Sequence, residues 1–477
     1  MSDPASSTPL PPDTGPGSDG WRDEIRATLR LSWPLAAANL LQMLTYAIDV
    51  IFIARLGEEQ LAASALAISL FGLVMWALSG LTGAVAPVAA ADLGERAPAL
   101  RPVRRAVRMA MWLAVFSGLA GMAICLLLGP LMRATGQETR IIALALEYNS
   151  VLIFSMVPML FNNVLRSFVS TLDRPVFATA ITAAGILVNG VANYAFIFGN
   201  LGAPELGLRG AAVATIITSL ATLGAYILAI RLDPRLHRYR IFGRWWTPDW
   251  QRFWHIARIG TPIALTITAE AGIFGAAAFL MGNIGATQLA AHTVALQIAA
   301  LAFQVPFGVG QAATIRVGYF YGARDPGGMK RAGWAAIAIG TGFMALTALA
   351  MLIIPRPLLA IYIDPWDPKN ALLVSFALKY LVVAAAFQLA DGLQAVAAGA
   401  LRGLHDTRVP MWIAAFAYWV PGIGTAVWLG FYTRLEGTGV WIGLATGLVV
   451  AALLLTHRWA RREKLQLTGR PQRAAQS

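Results

Sequence analysis

Residues 34–67 read PLAAANLLQMLTYAIDVIFIARLGEEQLAASALA, and residues 262–295 read PIALTITAEAGIFGAAAFLMGNIGATQLAAHTVA, an offset of 228 positions. Pro34 falls on Pro262, Gly57 on Gly285, and Gln60-Leu61-Ala62-Ala63 on Gln288-Leu289-Ala290-Ala291. The same ungapped offset continues to Gly80 over Gly308 and to GERAP (94–98) over GARDP (322–326), about 65 residues in all. Each copy opens with an apolar run of roughly 20 residues, long enough to cross a bilayer as a helix. A short loop and a second apolar run follow. A looser match, at an offset of 233, pairs TLDRPV with LHDTRVP further along. The spacing predicts a duplicated membrane unit.

Scanning outward for apolar runs gives twelve spans. The first six lie near 29–54, 61–90, 107–130, 141–168, 176–199 and 209–231, and the second six near 254–282, 289–318, 332–354, 372–401, 410–430 and 438–457. Composition agrees, with 57% hydrophobic and 13% charged residues where a soluble domain carries roughly 25% charged. The expected fold class is an all-α polytopic membrane protein, twelve transmembrane helices in two pseudo-symmetric six-helix bundles. The lobes are expected at 28–231 and 254–457, joined by a linker at 232–253. Residues 1–27 are expected to form a disordered tail, rich in Pro, Ser, Gly and Asp at its start, and 458–477 a basic one. Six spans per copy make the repeats parallel, an arrangement transporters use to bind substrate between the halves.

The net charge of +13 has a topological reading. An even number of spans puts both termini on one side. Of the 37 Lys and Arg, seven (Arg55, Arg133, Arg140, Arg209, Arg356, Lys369 and Arg434) lie on the other side. Three more, Arg166, Arg316 and Lys379, fall within spans, and the remainder crowd the terminus side. Basic loops stay in the cytoplasm, so both termini are expected there, and no nucleic-acid partner is implied. No lysine follows a glycine, which excludes a GK[ST] phosphate loop. One cysteine, Cys125, excludes an intrachain disulfide. The linker, with its Trp and Arg, suits an amphipathic segment on the inner surface.

Three carboxylates fall inside spans: Asp49, Glu270 and Asp391. A charged side chain at bilayer depth costs about 2.5 kcal/mol or more and commonly marks an ion or substrate path. No Lys or Arg stands within a helical turn of any of them, and Arg166, Arg316 and Lys379 are the candidate permanent partners. The duplication sets Glu270 opposite Gln42, Asp49 opposite Ala277 and Asp391 opposite Pro158. The acids therefore belong to the duties of each lobe rather than to the shared scaffold. Asn189 and Asn193, four apart on one helix face, could join a carboxylate in holding a monovalent cation. Alternatively they could serve as interhelical glue. Thr215 could join them. Gln297, Gln304 and Gln311 form a polar stripe, and His292 reads as an interface residue. Phe387, one turn before Asp391, could face a cation. Pro34, Pro158, Pro262 and Pro306 offer kinks.

These stretches, with ILVNGVANYAFIFGNLGAPELGLRGAAVAT (186–215), resemble the multidrug and toxic compound extrusion (MATE) transporters, in particular the NorM-like branch. The likeness runs from about residue 28 to 457. It implies two six-helix bundles in a V and a secondary antiporter in a bacterial inner membrane, not an enzyme. It also implies export of small organic cations or amphipaths against Na⁺ or H⁺, with no other cofactor and a single chain as the working unit. By motif position it maps cation coupling to Asp49, Asn189, Asn193, Glu270 and Asp391, with Na⁺ a candidate at the last two. The expected substrate cavity takes Gln42, Gln297, Gln304, Phe387 and Thr215. Some relatives carry an aspartate where Asn193 stands, which removes one proton acceptor from the amino-terminal lobe. A flippase for a lipid-linked saccharide or lipid is the alternative, and the acidic rather than basic span centres disfavour it.

Overall fold

A computed structural model describes residues 20–469. The tail expected at 1–27 lies outside the described residues up to 19, and so does the end of the basic tail from 470. Residues 21–27 are a correction to that boundary. The first helix begins at Trp21, because Asp23 and Glu24 in its first turn favour the helix amino terminus and Leu31 and Leu35 bury its next turns.

Among the described residues, twelve helices are long and apolar enough to cross a membrane. In the amino-terminal half they are α1 (Trp21–Ala54), α2 (Glu58–Glu95), α3 (Leu100–Ala134), α4 (Thr139–Thr171), α5 (Pro175–Phe198) and α6 (Leu208–Leu232). In the carboxy-terminal half they are α7 (Trp250–Ile284), α8 (Ala286–Ala323), α9 (Pro326–Ile353), α10 (Pro368–Gly403), α11 (Arg408–Phe431) and α12 (Gly437–Ala460). Large apolar side chains such as Leu187 (72% exposed), Phe279 (71%) and Leu346 (67%) stand on the outside, as lipid-facing helices require. Each half encloses its own core. Phe168, Met111 and Leu160 sit in the first, and Tyr380, Trp441 and Leu444 in the second.

The prolines act unequally. Pro34, Pro262 and Pro306 sit inside continuous helices, while Pro158 follows a 3₁₀ turn at Ile153–Ser155 that loosens α4. A proline not singled out above, Pro421, lies in a π-helical turn at Tyr418–Gly422 that interrupts α11.

The two halves meet through equivalent residues. A Cβ on Gly80 would crowd Ile263 and Ile267, and one on its repeat mate Gly308 would crowd Ala36. Gly94 lies against the carbonyl of Tyr319, and its mate Gly322 against the carbonyl of Ala91. At Gly94, Gly308 and Gly322 the facing backbone is close enough to leave room for glycine only, whereas at Gly80 the neighbours are isoleucine side chains. The contact is thus self-complementary about an axis between the lobes. It lies at the membrane side that carries the termini, on α1, α2, α7 and α8. Two ion pairs clamp the same end. Arg316 on α8 grips Glu24 on α1 with Nε at 2.9 Å and Nη2 at 2.6 Å. Arg252 on α7 holds Asp92 on α2.

Candidate functional site

In the amino-terminal lobe one carboxylate gathers two amides. Nδ2 of Asn189 donates to Asp49 Oδ1 at 2.9 Å, and Nδ2 of Asn193 donates to the same oxygen at 2.7 Å. Asn193 Nδ2 also reaches Asn189 Oδ1 at 3.2 Å. The asparagines sit one turn apart on α5, which packs along α1 and so presents both to position 49. All three are buried, Asp49 at 8% exposure and the asparagines at 1% and 0%. Asn193 Oδ1 is buried without a partner. The sequence pairing of span-1 acid with span-5 amides is realised in the geometry. Thr215 does not join it: its hydroxyl donates to Ala211 O at 3.1 Å, one turn back on α6. A threonine hydroxyl in a helix finds that carbonyl without help from another helix.

The carboxy-terminal lobe builds a different group from α7, α10 and α11. Glu270 and Asp391 lie within electrostatic range of one another, and Tyr418 lies within range of both. Gln394 Nε2 donates to Tyr418 Oη at 2.6 Å. Gln388, Asp391 and Gln394 follow at three-residue steps along α10, so they run along one side of the helix. Each carries a buried oxygen without a hydrogen-bond partner: Gln388 Oε1, Asp391 Oδ1 and Gln394 Oε1. Buried polar atoms of folded proteins are almost always bonded. Two orphaned amide oxygens and two acids, one of them with an orphaned oxygen of its own, make an all-oxygen setting that suits a hard monovalent cation, a protonated carboxyl or water.

Among the described residues no Lys, Arg or His lies within 4.0 Å of Asp49, Glu270 or Asp391. The three candidate permanent partners are engaged elsewhere. Arg166 donates to Leu35 O and Asn39 Oδ1, Arg316 grips Glu24, and Lys379 sits over the Phe376 ring at 5.9 Å. The cation that does reach the site's field is Arg402, which couples to Glu270 across the lobe. It lies three turns beyond Asp391 on α10. There it lines a cavity of about 10 Å³, room for one water, with Thr266, Gln394 and Thr407.

The remaining expected cavity residues differ in exposure. Gln42 and Gln297 are exposed, and Gln304 is half-buried with its amide donating to Ala300 O at 3.1 Å. Phe387 is 1% exposed. It packs edge-on to Phe274 and Trp441, with ring centroids 6.2 and 5.6 Å away. The ring is therefore part of the lobe's interior rather than a free aromatic wall. His292 is 1% exposed and stands edge-on to Trp441 at 5.5 Å, with both ring nitrogens unpartnered. Reading the sequence missed Tyr418, Arg402, Gln388 and Gln394. The three-residue spacing of Gln388, Asp391 and Gln394 and the mid-span Pro421 were the signals available.

The family model described as MatE matches twice, over residues 34–195 and 262–428, one match per repeat. A "Probable multidrug resistance protein NorM" of Mesorhizobium japonicum is 43% identical over 93% of this chain and 95% of its own length. One of Brucella suis is 42% identical over 92% and 94%. An outward-facing multidrug resistance MATE transporter superposes with a TM-score of 0.82 at 23% identity, covering 94% of this chain and 97% of that one. That likeness speaks for the fold. With the doubled family match and relatives identical at four residues in ten across nearly the whole chain, this chain belongs to the MATE family of membrane transporters.

Proposed function

We propose that this protein is an antiporter that exports organic cations and amphipathic compounds from the cytoplasm in exchange for Na⁺ or H⁺. It would work as a single chain in the inner membrane, with both termini cytoplasmic. One observation carries the reading: three carboxylates stand inside spans with no fixed cation against them, and Asp391 keeps a buried oxygen unbonded. A charge held only for the fold would be paired.

The two lobes differ in what they offer. Asp49 is already solvated by two amides, so it suits a tuning or second-site role. Glu270, Asp391 and the orphan oxygens of Gln388 and Gln394 form the coupling-ion site. Na⁺ there is substrate rather than resident metal. Its fit rests on the all-oxygen donor set. A low-dielectric site strengthens attraction between carboxylate and cation. An arriving ion or proton cancels the charge that held the cargo. One charge moving through about 100 mV supplies about 2.3 kcal/mol, which sustains a gradient of roughly fifty-fold.

The test is efflux of a fluorescent organic cation from inverted vesicles, with Na⁺ and pH gradients imposed separately. Glu270→Gln and Asp391→Asn are each expected to lower the rate by an order of magnitude or more, and the gradient that drives efflux names the ion. Native rates in both variants would refute the carboxy-lobe assignment.

A further inference from the structure

The linker between the lobes is tied down by hydrogen bonds. Asp233 caps the helical turn Pro234–His237, accepting from the amides of Arg235 at 2.8 Å and Leu236 at 3.2 Å. Two arginines of α3 then reach across to hold the chain that follows. Arg104 Nε donates to Tyr239 O at 2.6 Å, Arg108 Nε to Ile241 O at 3.0 Å, and Arg108 Nη2 to Arg240 O at 2.9 Å. Trp112 Nε1 donates to Trp245 O at 3.1 Å, and their rings stack at 4.6 Å. Tyr239 Oη donates to Pro98 O at 2.9 Å. Burial pushes the Tyr239 phenol up to about 12, so it remains a donor. Leu236, Tyr239 and Ile241 are buried at 0%, 4% and 1% exposure. The segment expected on the inner surface is packed onto the amino-terminal lobe.

That packing shapes a pocket. A cavity of about 330 Å³ opens between the end of α6 and the loop, lined by Ile230, Arg231, His237, Arg240, Ile241, Phe242 and Gly243. The floor is apolar, and the charged groups are at the mouth, where Arg231, His237 and Arg240 are exposed. No acid lines it. Asp233, close by in the chain, is committed to its cap and to Arg174 at 3.4 Å. Arg240 is held at φ +45°, a left-handed conformation unusual for a side-chain-bearing residue, and such strain collects at ligand sites. Trp246, Trp250 and Trp254 follow, 75%, 55% and 64% exposed. Tryptophan marks the headgroup layer of a bilayer, and these three follow the pocket-lining stretch directly in the chain.

We propose that this pocket binds one anionic phospholipid, its phosphate held by Arg231, His237 and Arg240 and its glycerol end resting on Ile230, Ile241 and Phe242. Arginine forks fit phosphate oxygens in pairs, and basic pockets at membrane-facing helix ends take acidic headgroups. The apolar floor distinguishes a lipid from free phosphate, which would leave that surface bare. Bound there, the lipid pins the linker to one lobe at the bilayer surface. This assignment needs only the membrane location of the chain and is independent of which ion drives transport.

Native mass spectrometry of the protein released from phosphatidylglycerol–phosphatidylcholine discs tests it. The native chain is expected to retain one more phosphatidylglycerol than the Arg231→Gln/Arg240→Gln variant, with phosphatidylcholine retention equal. A control, Arg235→Gln/Arg238→Gln, removes the same charge outside the pocket and is expected to keep the native count. Should the double variant misfold, His237→Gln is expected to lose the same lipid. Equal counts in native protein and pocket variants would overturn the proposal. So would equal loss in the control, which signals diffuse attraction, or displacement of the lipid by excess inorganic phosphate.

Discussion

Asp49 and Asp391 are the same residue type inside spans, and their neighbours give them opposite characters. Two amide donors converge on Asp49, whereas Asp391 faces a tyrosine, a glutamate and orphan carbonyl oxygens. Hydrogen bonds to a charged group contribute about 1.5–3 kcal/mol each. Asn193→Ala removes the shorter of the two donors to Asp49. It is expected to lower the thermal midpoint of the purified protein and to weaken efflux several-fold. An unchanged melting curve and rate would show that Asp49 needs no amide support.

At the scale of the element, the π turn in α11 begins at Tyr418, the side chain in electrostatic range of both acids. It widens the helix by one residue around Pro421 and leaves Tyr418 fully buried against Gln394. Such bulges are frequent at functional sites. Pro421→Ala restores a backbone donor and favours a regular helix, which rotates the preceding turn relative to α10. Efflux is expected to fall while the amount of folded protein in the membrane holds, measured by fluorescence-detected size exclusion. Native efflux in this variant would mean that the tyrosine's placement does not depend on the turn.

Across the whole molecule, the duplication explains the clamp between the lobes. Position 24 and position 252 are repeat equivalents, yet one is Glu24 and the other Arg252, and each pairs across the axis with a residue of opposite sign. Equivalent helix pairs thus each carry one lock with the polarity reversed and the second partner displaced by about a turn, since Arg316 falls on Val88 and Asp92 on Phe320. Glu24 is 0% exposed, so Glu24→Ala strands Arg316 in a buried site, a loss of about 3–5 kcal/mol. Opening the terminus side then becomes easier. Spin labels at Arg96 and Arg324, exposed and equivalent in the two repeats, report it against a native Cys125 that is buried at 0%. The native protein is expected to give a short distance, and Glu24→Ala a population shifted to longer ones. Identical distributions would show that the pair does not hold the lobes together.

What the sequence alone determined follows from rules the bilayer imposes locally. A span must be long, apolar and helical, so twelve of them, their pairing into repeats, the basic side and the three isolated acids are all readable along the chain. Asn189 and Asn193 were readable too, since four residues make one helical turn. The tertiary structure alone decided the partners. Glu270 comes within electrostatic range of Arg402 and Tyr418 through helices far apart in sequence. Phe387 turned inward because Phe274 and Trp441 from other helices enclose it, and Thr215 bonded within its own turn. Hydropathy reports how deep a residue lies in lipid. Which face of its helix meets which neighbour is set by helix-to-helix packing, where the lone glycines at 80, 94, 308 and 322 and one mid-span proline outweigh any periodicity.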